Sequence, residues 1–266
     1  MTMSAVRHFV HPPTGPLEGY VREILWLTSE RPRRQILLPE TTLTLAFRQT
    51  GSVWLGYKIL PSAVISGLQQ QARLTEHEAG SSLIIVRFTE FGAAAFLHDR
   101  VDLLYNQTAP LDAFVPRQNI ESLQNRLADH SEIPDQILAV EHFLTARLRA
   151  QDCVSPPIEA ALQMMRHSED RSSMAAIARQ VAMSQSTFER RFRAAIGTSP
   201  KTFRRLVRLQ HVCRLWDTGK SLTEITFEAG YYDQSHFVQD FRLFTGMAPE
   251  RFFRSVSPRN LPTFYK

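Results

Sequence analysis

Near residue 90 the spacing of hydrophobic positions changes from the two-residue period of strands to the three-to-four-residue period of helices. Before that point, Thr42 to Phe47 alternates cleanly, with Leu43, Leu45 and Phe47 on one face and Thr42, Thr44 and Ala46 on the other. Ser52 to Lys58, Ala63 to Ser66 and Leu83 to Thr89 are further runs rich in branched or aromatic residues. Gly51, Pro61 and Gly80-Ser81-Ser82 separate them as turn signals. Short strands at this spacing, from about Gln35 to Glu90, predict a barrel or a sandwich. Gly92 to Leu104 and Asn119 to His130 then read as helices. Ile133 to Arg149 is the clearest, with an apolar stripe of Ile137, Leu138, Val140, Leu144 and Leu148 and with Glu141 and Arg149 off it.

Gln151 to Pro157 reads as a linker. In it Ser155 can cap a helix whose first turn tolerates Pro156 and Pro157, because the missing N–H donors are unpaired there anyway. Everything beyond reads as helices joined by short turns, which places a domain boundary near residue 153 and divides the chain into 1–152 and 153–266. Charge follows the same division. Residues 1–152 hold 14 Lys+Arg and 16 Asp+Glu, a net of −2, while residues 153–266 hold 17 and 10, a net of +7. Only the second part therefore suits a polyanion.

The basic part contains a repeat at an offset of 49. Ser184-Gln-Ser-Thr-Phe-Glu-Arg-Arg-Phe-Arg193 lies over Asp233-Gln-Ser-His-Phe-Val-Gln-Asp-Phe-Arg242, and Gly197, Pro200 and Phe203 lie over Gly246, Pro249 and Phe252. Ser184 and Asp233 suit helix N-caps. Phe188, Phe192 and Ile196 in one copy, and Phe237, Phe241 and Phe244 in the other, make a buried helical face. Gly197 and Gly246 suit the left-handed residue that ends a helix. Short helices are predicted ahead of both copies, at Ser173 to Gln180 (apolar Met174, Ile177 and Ala178) and Ser221 to Ala229 (Leu222, Ile225 and Phe227). The intervening turn is one residue longer in the second copy, through Gly230-Tyr231-Tyr232.

Opposite the apolar face, each repeated helix carries groups able to read base edges: Gln185, Ser186, Glu189 and Arg190 in one, Gln234, Ser235, His236 and Gln239 in the other. Arg190 suits guanine and Gln239 suits adenine, while Glu189 suits either a salt bridge to Arg190 or a cytosine amino group. Arg193, Arg204, Arg205 and Arg242, on or just after these helices, are candidates for phosphate contact. One polar helix face is ordinarily a solvated surface. The same face twice, at one offset and in the basic part, favours a DNA reader.

On these residues the stretch of roughly 156 to 255 resembles the DNA-binding domain of the AraC/XylS family of bacterial transcriptional regulators. The run from Gly230 to Phe237, then Phe241-Arg242, Gly246 to Pro249 and Phe252, is similar to that family's signature. The resemblance implies an all-α domain of seven helices with two helix-turn-helix units, joined by a long helix, here Pro200 to Asp217. It further implies two recognition helices in successive major grooves, with double-stranded DNA and RNA polymerase as partners. Thr226 departs from the alanine usual in the family. More weakly, Val86 to Leu97, with Asp102-Leu103 and Pro110-Leu111, resembles the β-barrel sensor domains of one branch of the family. That likeness implies an effector-binding or dimerising role, and an α+β chain of two domains.

The remaining chemistry is sparse. Cys153 and Cys213 are the chain's two cysteines, neither in a Cys-x-x-Cys or His-Cys cluster, which argues against disulfides and structural zinc and fits a reducing cytoplasm. The DNA-repair methyltransferases that share this helix-turn-helix type need cysteines in their N-terminal part, and residues 1–152 have none. No apolar run of about 18 residues and no signal-like N-terminus is present, so neither membrane insertion nor secretion is expected. A cupin-like metal enzyme is the rival reading. Strand alternation sends His77 away from Glu76 and Glu78, however, and His98 and His142 stand alone. No glycine-rich phosphate loop or Gly-x-Ser-x-Gly turn occurs, and no cofactor is expected. Phe47, Trp54, Tyr57 and Phe88 fit either an effector pocket or plain core, and Ile133 to Arg149 fits either a homodimer surface or a cover for the barrel. A small-molecule effector and a partner protein both remain open as the signal, as do activation and repression.

Overall fold

A computed structural model describes residues 6–97, 101–148, 155–166, 172–216 and 218–255. Cys153, His98, Arg149, Asp217 and the expected boundary near residue 153 lie outside the described residues. The chain forms two compact units. One comprises Met1–Arg34, Thr42–Gly67 and Leu74–Cys153, the other Gln35–Thr41, Leu68–Arg73 and Val154–Lys266.

The strands are β1 (Val6–His11), β2 (Val21–Ser29), β3 (Arg33–Leu37), β4 (Thr44–Thr50), β5 (Val53–Leu55), β6 (Lys58–Ile59), β7 (Ala63–Ser66), β8 (Arg73–His77), β9 (Ser81–Phe88) and β10 (Thr108–Pro110), all within the first unit except β3 from Gln35 onward and Arg73 of β8. They form a six-stranded sheet, β1-β2-β9-β4-β7-β10, and a four-stranded sheet, β3-β8-β5-β6. Neither sheet closes on itself, so the expected barrel-like domain is a pair of open sheets, with edges at β1 and β10 and at β3 and β6. Leu43, Leu45 and Phe47 are buried to 1% exposure or less, as their alternation requires. The run expected as one strand over Ser52 to Lys58 is instead a hairpin. Gly56 takes a positive φ of 59°, and Trp54 pairs with Ile59.

Helices α1 (Gly92–Leu97), α2 (Arg117–Asp129) and α3 (Ile133–Thr145) complete this unit, with a 3₁₀ turn at Val101–Leu104. Gly92 must lack a side chain, since a Cβ there would stand 1.7 Å from the Tyr20 carbonyl oxygen. Phe143 of α3 meets Phe47 at 5.7 Å and Phe96 at 5.8 Å, and Phe88 lies 5.6 Å from Phe96. Phe47 and Phe88 are therefore core. Tyr57 is fully exposed at the hairpin, which removes both readings offered for it. The stripe on α3 is rotated from expectation. Leu138 is 48% exposed, whereas Glu141 is buried at 8%. Glu141 is tolerated there because its carboxylate accepts hydrogen bonds from the Thr14 N–H (3.2 Å) and hydroxyl (3.3 Å) and lies 3.3 Å from His11 Nε2.

Seven helices among the described residues make the second unit: α4 (Pro156–Arg166), α5 (Met174–Gln180), α6 (Gln185–Ile196), α7 (Pro200–Trp216), α8 (Leu222–Glu228), α9 (Gln234–Thr245) and α10 (Pro249–Ser255). Phe188, Phe192 and Phe203 form one chain of edge-on rings with centroids 5.6 Å apart. Phe237, Phe241 and Phe252 repeat it at 5.7 and 5.4 Å, so the two copies share a packing rule as well as a spacing. Among the described residues, no helix is long and apolar enough to cross a membrane, and no group of three or more His, Cys, Asp or Glu could hold a metal ion.

Candidate nucleic-acid interface

Each repeated helix is started and stopped by its own side chains. The Ser184 hydroxyl accepts from the Thr187 N–H at 3.3 Å, and the Asp233 carboxylate accepts from the His236 N–H at 2.7 Å. Gly197 (φ 93°) and Gly246 (φ 74°) end α6 and α9 in the left-handed conformation. The preceding helices α5 and α8 are capped in turn by Ser173 and Ser221, the latter in a reciprocal capping box with Glu224. That box, its two hydrogen bonds from Ser221 foremost, holds the Glu224 carboxyl below the usual carboxylate range.

The connecting turns differ by one residue, with Val181 to Ser184 in the first repeat and Ala229 to Asp233 in the second. Both reverse at a left-handed residue, Ala182 (φ 53°) and Gly230 (φ 81°). One apolar expectation shifts here. Phe227 is 56% exposed, and Thr226 takes the inward position at 0%. The departure from alanine at Thr226 is absorbed locally, because its hydroxyl donates to the Leu222 carbonyl at 2.7 Å.

With their phenylalanines buried, both helices expose the opposite face. Gln185, Ser186, Arg190 and Arg193 are exposed on α6, and Gln234, Ser235, Gln239 and Arg242 on α9. Glu189 is half-buried and accepts from Gln185 Nε2 at 2.9 Å, and no ion pair joins it to Arg190. Arg190 thus presents its guanidinium outward. His236 turns partly inward, its ring edge-on to Tyr231 at 5.3 Å and its Nε2 3.9 Å from the Asp240 carboxylate.

Arg204 and Arg205 stand differently from the other candidates. Arg204 Nη1 donates to the Ser172 carbonyl at 2.6 Å. Arg205 sends Nε and Nη2 to Asp240 Oδ1 at 3.0 and 2.7 Å, with its guanidinium 5.3 Å from the centre of the Phe244 ring. Arg208 Nη2 reaches Asp240 Oδ2 at 3.4 Å and lies over Tyr231, 4.8 Å from the ring centre. Asp240 is 4% exposed, so two arginines of α7 clamp a buried carboxylate of α9. Burial foremost, then the Asp240 charge, pushes the Tyr231 hydroxyl well above its ordinary value and keeps it neutral. Sequence reasoning passed over Asp240 and Arg208. The available signal was an acid three residues after Phe237, on the helix's buried side.

Comparison with known proteins bears on this unit. Residues 177–255 match the model of the helix-turn-helix domain family. An uncharacterised helix-turn-helix-type transcriptional regulator of Haemophilus influenzae is 34% identical over 82 residues, which is 30% of this chain and 28% of that protein. Among solved structures, ToxT from Vibrio cholerae aligns over 94% of this chain and 98% of its own at 11% identity, with a TM-score of 0.46. A transcriptional regulator with an AraC-type DNA-binding domain from Chromobacterium violaceum aligns over 39% of this chain and 87% of its own at 27% identity, with a TM-score of 0.31. The family match thus spans both capped repeats, and the stretch from residue 177 to 255 is similar throughout to a helix-turn-helix domain.

Proposed function

We propose that the protein is a sequence-specific regulator of transcription that reads two successive major grooves of double-stranded DNA with α6 and α9 and is controlled by an effector bound to its N-terminal unit. The observation that carries this reading is the duplicated exposed face. Two helices with side-chain N-caps, left-handed glycine C-caps and phenylalanines buried at matching positions present Gln-Ser pairs, then Arg190 or Gln239, then Arg193 or Arg242, outward. Arg190 donates to guanine O6 and N7, Gln239 pairs with adenine N6 and N7, and Gln185, Ser186, Gln234 and Ser235 flank them. Arg193 and Arg242 hold phosphates. Arg204 and Arg205 serve the same surface through α7, where their guanidiniums are engaged by Ser172 and Asp240.

Binding-site selection from random duplexes tests this with the full chain. The parent should select two half-sites about 10 base pairs apart. Arg190→Ala should lower affinity by about 1–3 kcal/mol and relax one base position, and Gln239→Ala should relax another about one helical turn away. Retention of the parental consensus by both variants, or loss at the same base pair, would show that these side chains do not read bases.

A further inference from the structure

Within the first unit, between the six-stranded sheet and the α2–α3 hairpin, lies a cavity of about 600 Å³. That is the size of a metabolite site. Its walls are held in place by the protein's own bonds. Ser82 Oγ donates to Gln49 Oε1, and Gln49 Nε2 donates to Gln136 Oε1, both at 2.8 Å. Gln136 Nε2 then donates to the His130 carbonyl at 2.7 Å. This chain ties α3 to the sheet, so the cavity exists before anything enters it.

One lining group has unspent capacity. Arg48 sends Nη1 to the Gly51 carbonyl at 2.6 Å, while its Nε–H is buried with no hydrogen-bond partner. Among the described residues no carboxylate lies within ion-pair distance of it. An arginine stays charged at any ordinary pH, and its planar fork matches a carboxylate with two parallel bonds. Trp26, Leu127 and Ile133 supply apolar wall in the same cavity, with Gln124 and Ser131 as polar contacts. A single cation facing mixed walls suits a monoanion with a compact apolar body better than a multiply charged phosphate.

We infer that this cavity is a binding site for a small organic monocarboxylate, anchored by Arg48, and that such a ligand is the effector. The assignment of the ligand as effector rests on the proposed regulator function; the site itself does not. A bound carboxylate would neutralise the Arg48 guanidinium and add a second link between sheet and helical hairpin.

The test measures thermal unfolding of the full chain with benzoate, salicylate and cyclohexanecarboxylate at about 10 mM, with benzamide as a neutral isostere and sulfate as an ionic control. At least one carboxylate should raise the unfolding temperature by about 2 °C or more, with no effect of benzamide or sulfate. Arg48→Met should lose the shift and Arg48→Lys should keep part of it. Without relying on any variant's folding, a carboxylate titration should also move the Arg48 Nε–H resonance of the ¹⁵N-labelled parent. No stabilisation by any of the three acids, an equal shift in Arg48→Met, or an unmoved Arg48 resonance would each overturn the site. DNA retardation measured on the same samples separates the two readings. DNA binding without carboxylate binding refutes only the site, and Arg48-dependent carboxylate binding without DNA binding refutes only the regulator.

Discussion

Removing the Asp240 carboxylate should unmoor α9 from α7. In Asp240→Ala the Oδ1 that accepts from both Nε and Nη2 of Arg205 and the Oδ2 that accepts from Arg208 Nη2 disappear together. The two guanidiniums cannot simply turn to water, because their side chains are only 25% and 14% exposed. Arg208 Nε already lacks a hydrogen-bond partner. Breaking one partner of a fully buried pair costs about 3–5 kcal/mol. The partial exposure of Arg205 lets solvent recover part of that, so the expected loss is about 2–4 kcal/mol. Asp240→Asn keeps the shape and one acceptor and should lose roughly half as much.

Trp216 reports on this unit selectively. It stacks on Phe253 at 3.9 Å, and the other two tryptophans, Trp26 and Trp54, can be replaced by Phe in a common background. Urea unfolding followed by Trp216 fluorescence then gives the change in midpoint and slope for one unit of a two-unit chain. A cycle with Arg205→Met should return a coupling of about 1–3 kcal/mol. A loss below about 0.5 kcal/mol in Asp240→Ala, or an Arg205 coupling near zero, would mean that the clamp contributes nothing net and that the rings alone hold α7 to α9.

Ala182 occupies a left-handed position that its counterpart fills with Gly230, so Ala182→Gly should stabilise the same unit by about 0.5–1 kcal/mol in that assay; destabilisation would mean that chain entropy outweighs the relieved strain. Burial first, then the nearby Arg33 charge, lowers the His77 pKa from 6.5 to about 4. The folded chain therefore holds fewer protons than the unfolded chain between those values, and His77's contribution is complete above pH 6.5 and is lost as pH falls toward 4. Since the ring is half-buried, that contribution is of order 1–3 kcal/mol, and pH-dependent unfolding of His77→Gln should be flatter over the window than that of the parent. In DNA retardation, Arg242→Ala and Arg193→Ala should each lower the slope of log affinity against log salt by about 0.9 with the selected sequence unchanged, and a slope equal to the parent's would remove that residue from the phosphate contacts.

Much of the second unit was legible because its signals are local. N-caps, left-handed glycines and phenylalanines at helical spacing act within a turn or two of themselves, and the duplication let each copy check the other. Ser184, Asp233, Gly197 and Gly246 accordingly sit where their chemistry requires. What tertiary structure decided was every question about partners far apart in the chain. Alternation marked Leu43, Leu45 and Phe47 as inward, but strand pairing, edges and the absence of closure depend on contacts among β1, β2, β9, β4, β7 and β10 that no window of sequence contains. Glu141 looked like a solvated residue until Thr14 and His11 met it across more than 120 positions. Arg205 pairs with Asp240, 35 residues on, a partner that nothing near it in the sequence announces. A charged side chain carries the same letter whether water, an acid or a phosphate satisfies it. Only the fold decides which, because it sets what lies within about 3 Å of the charge.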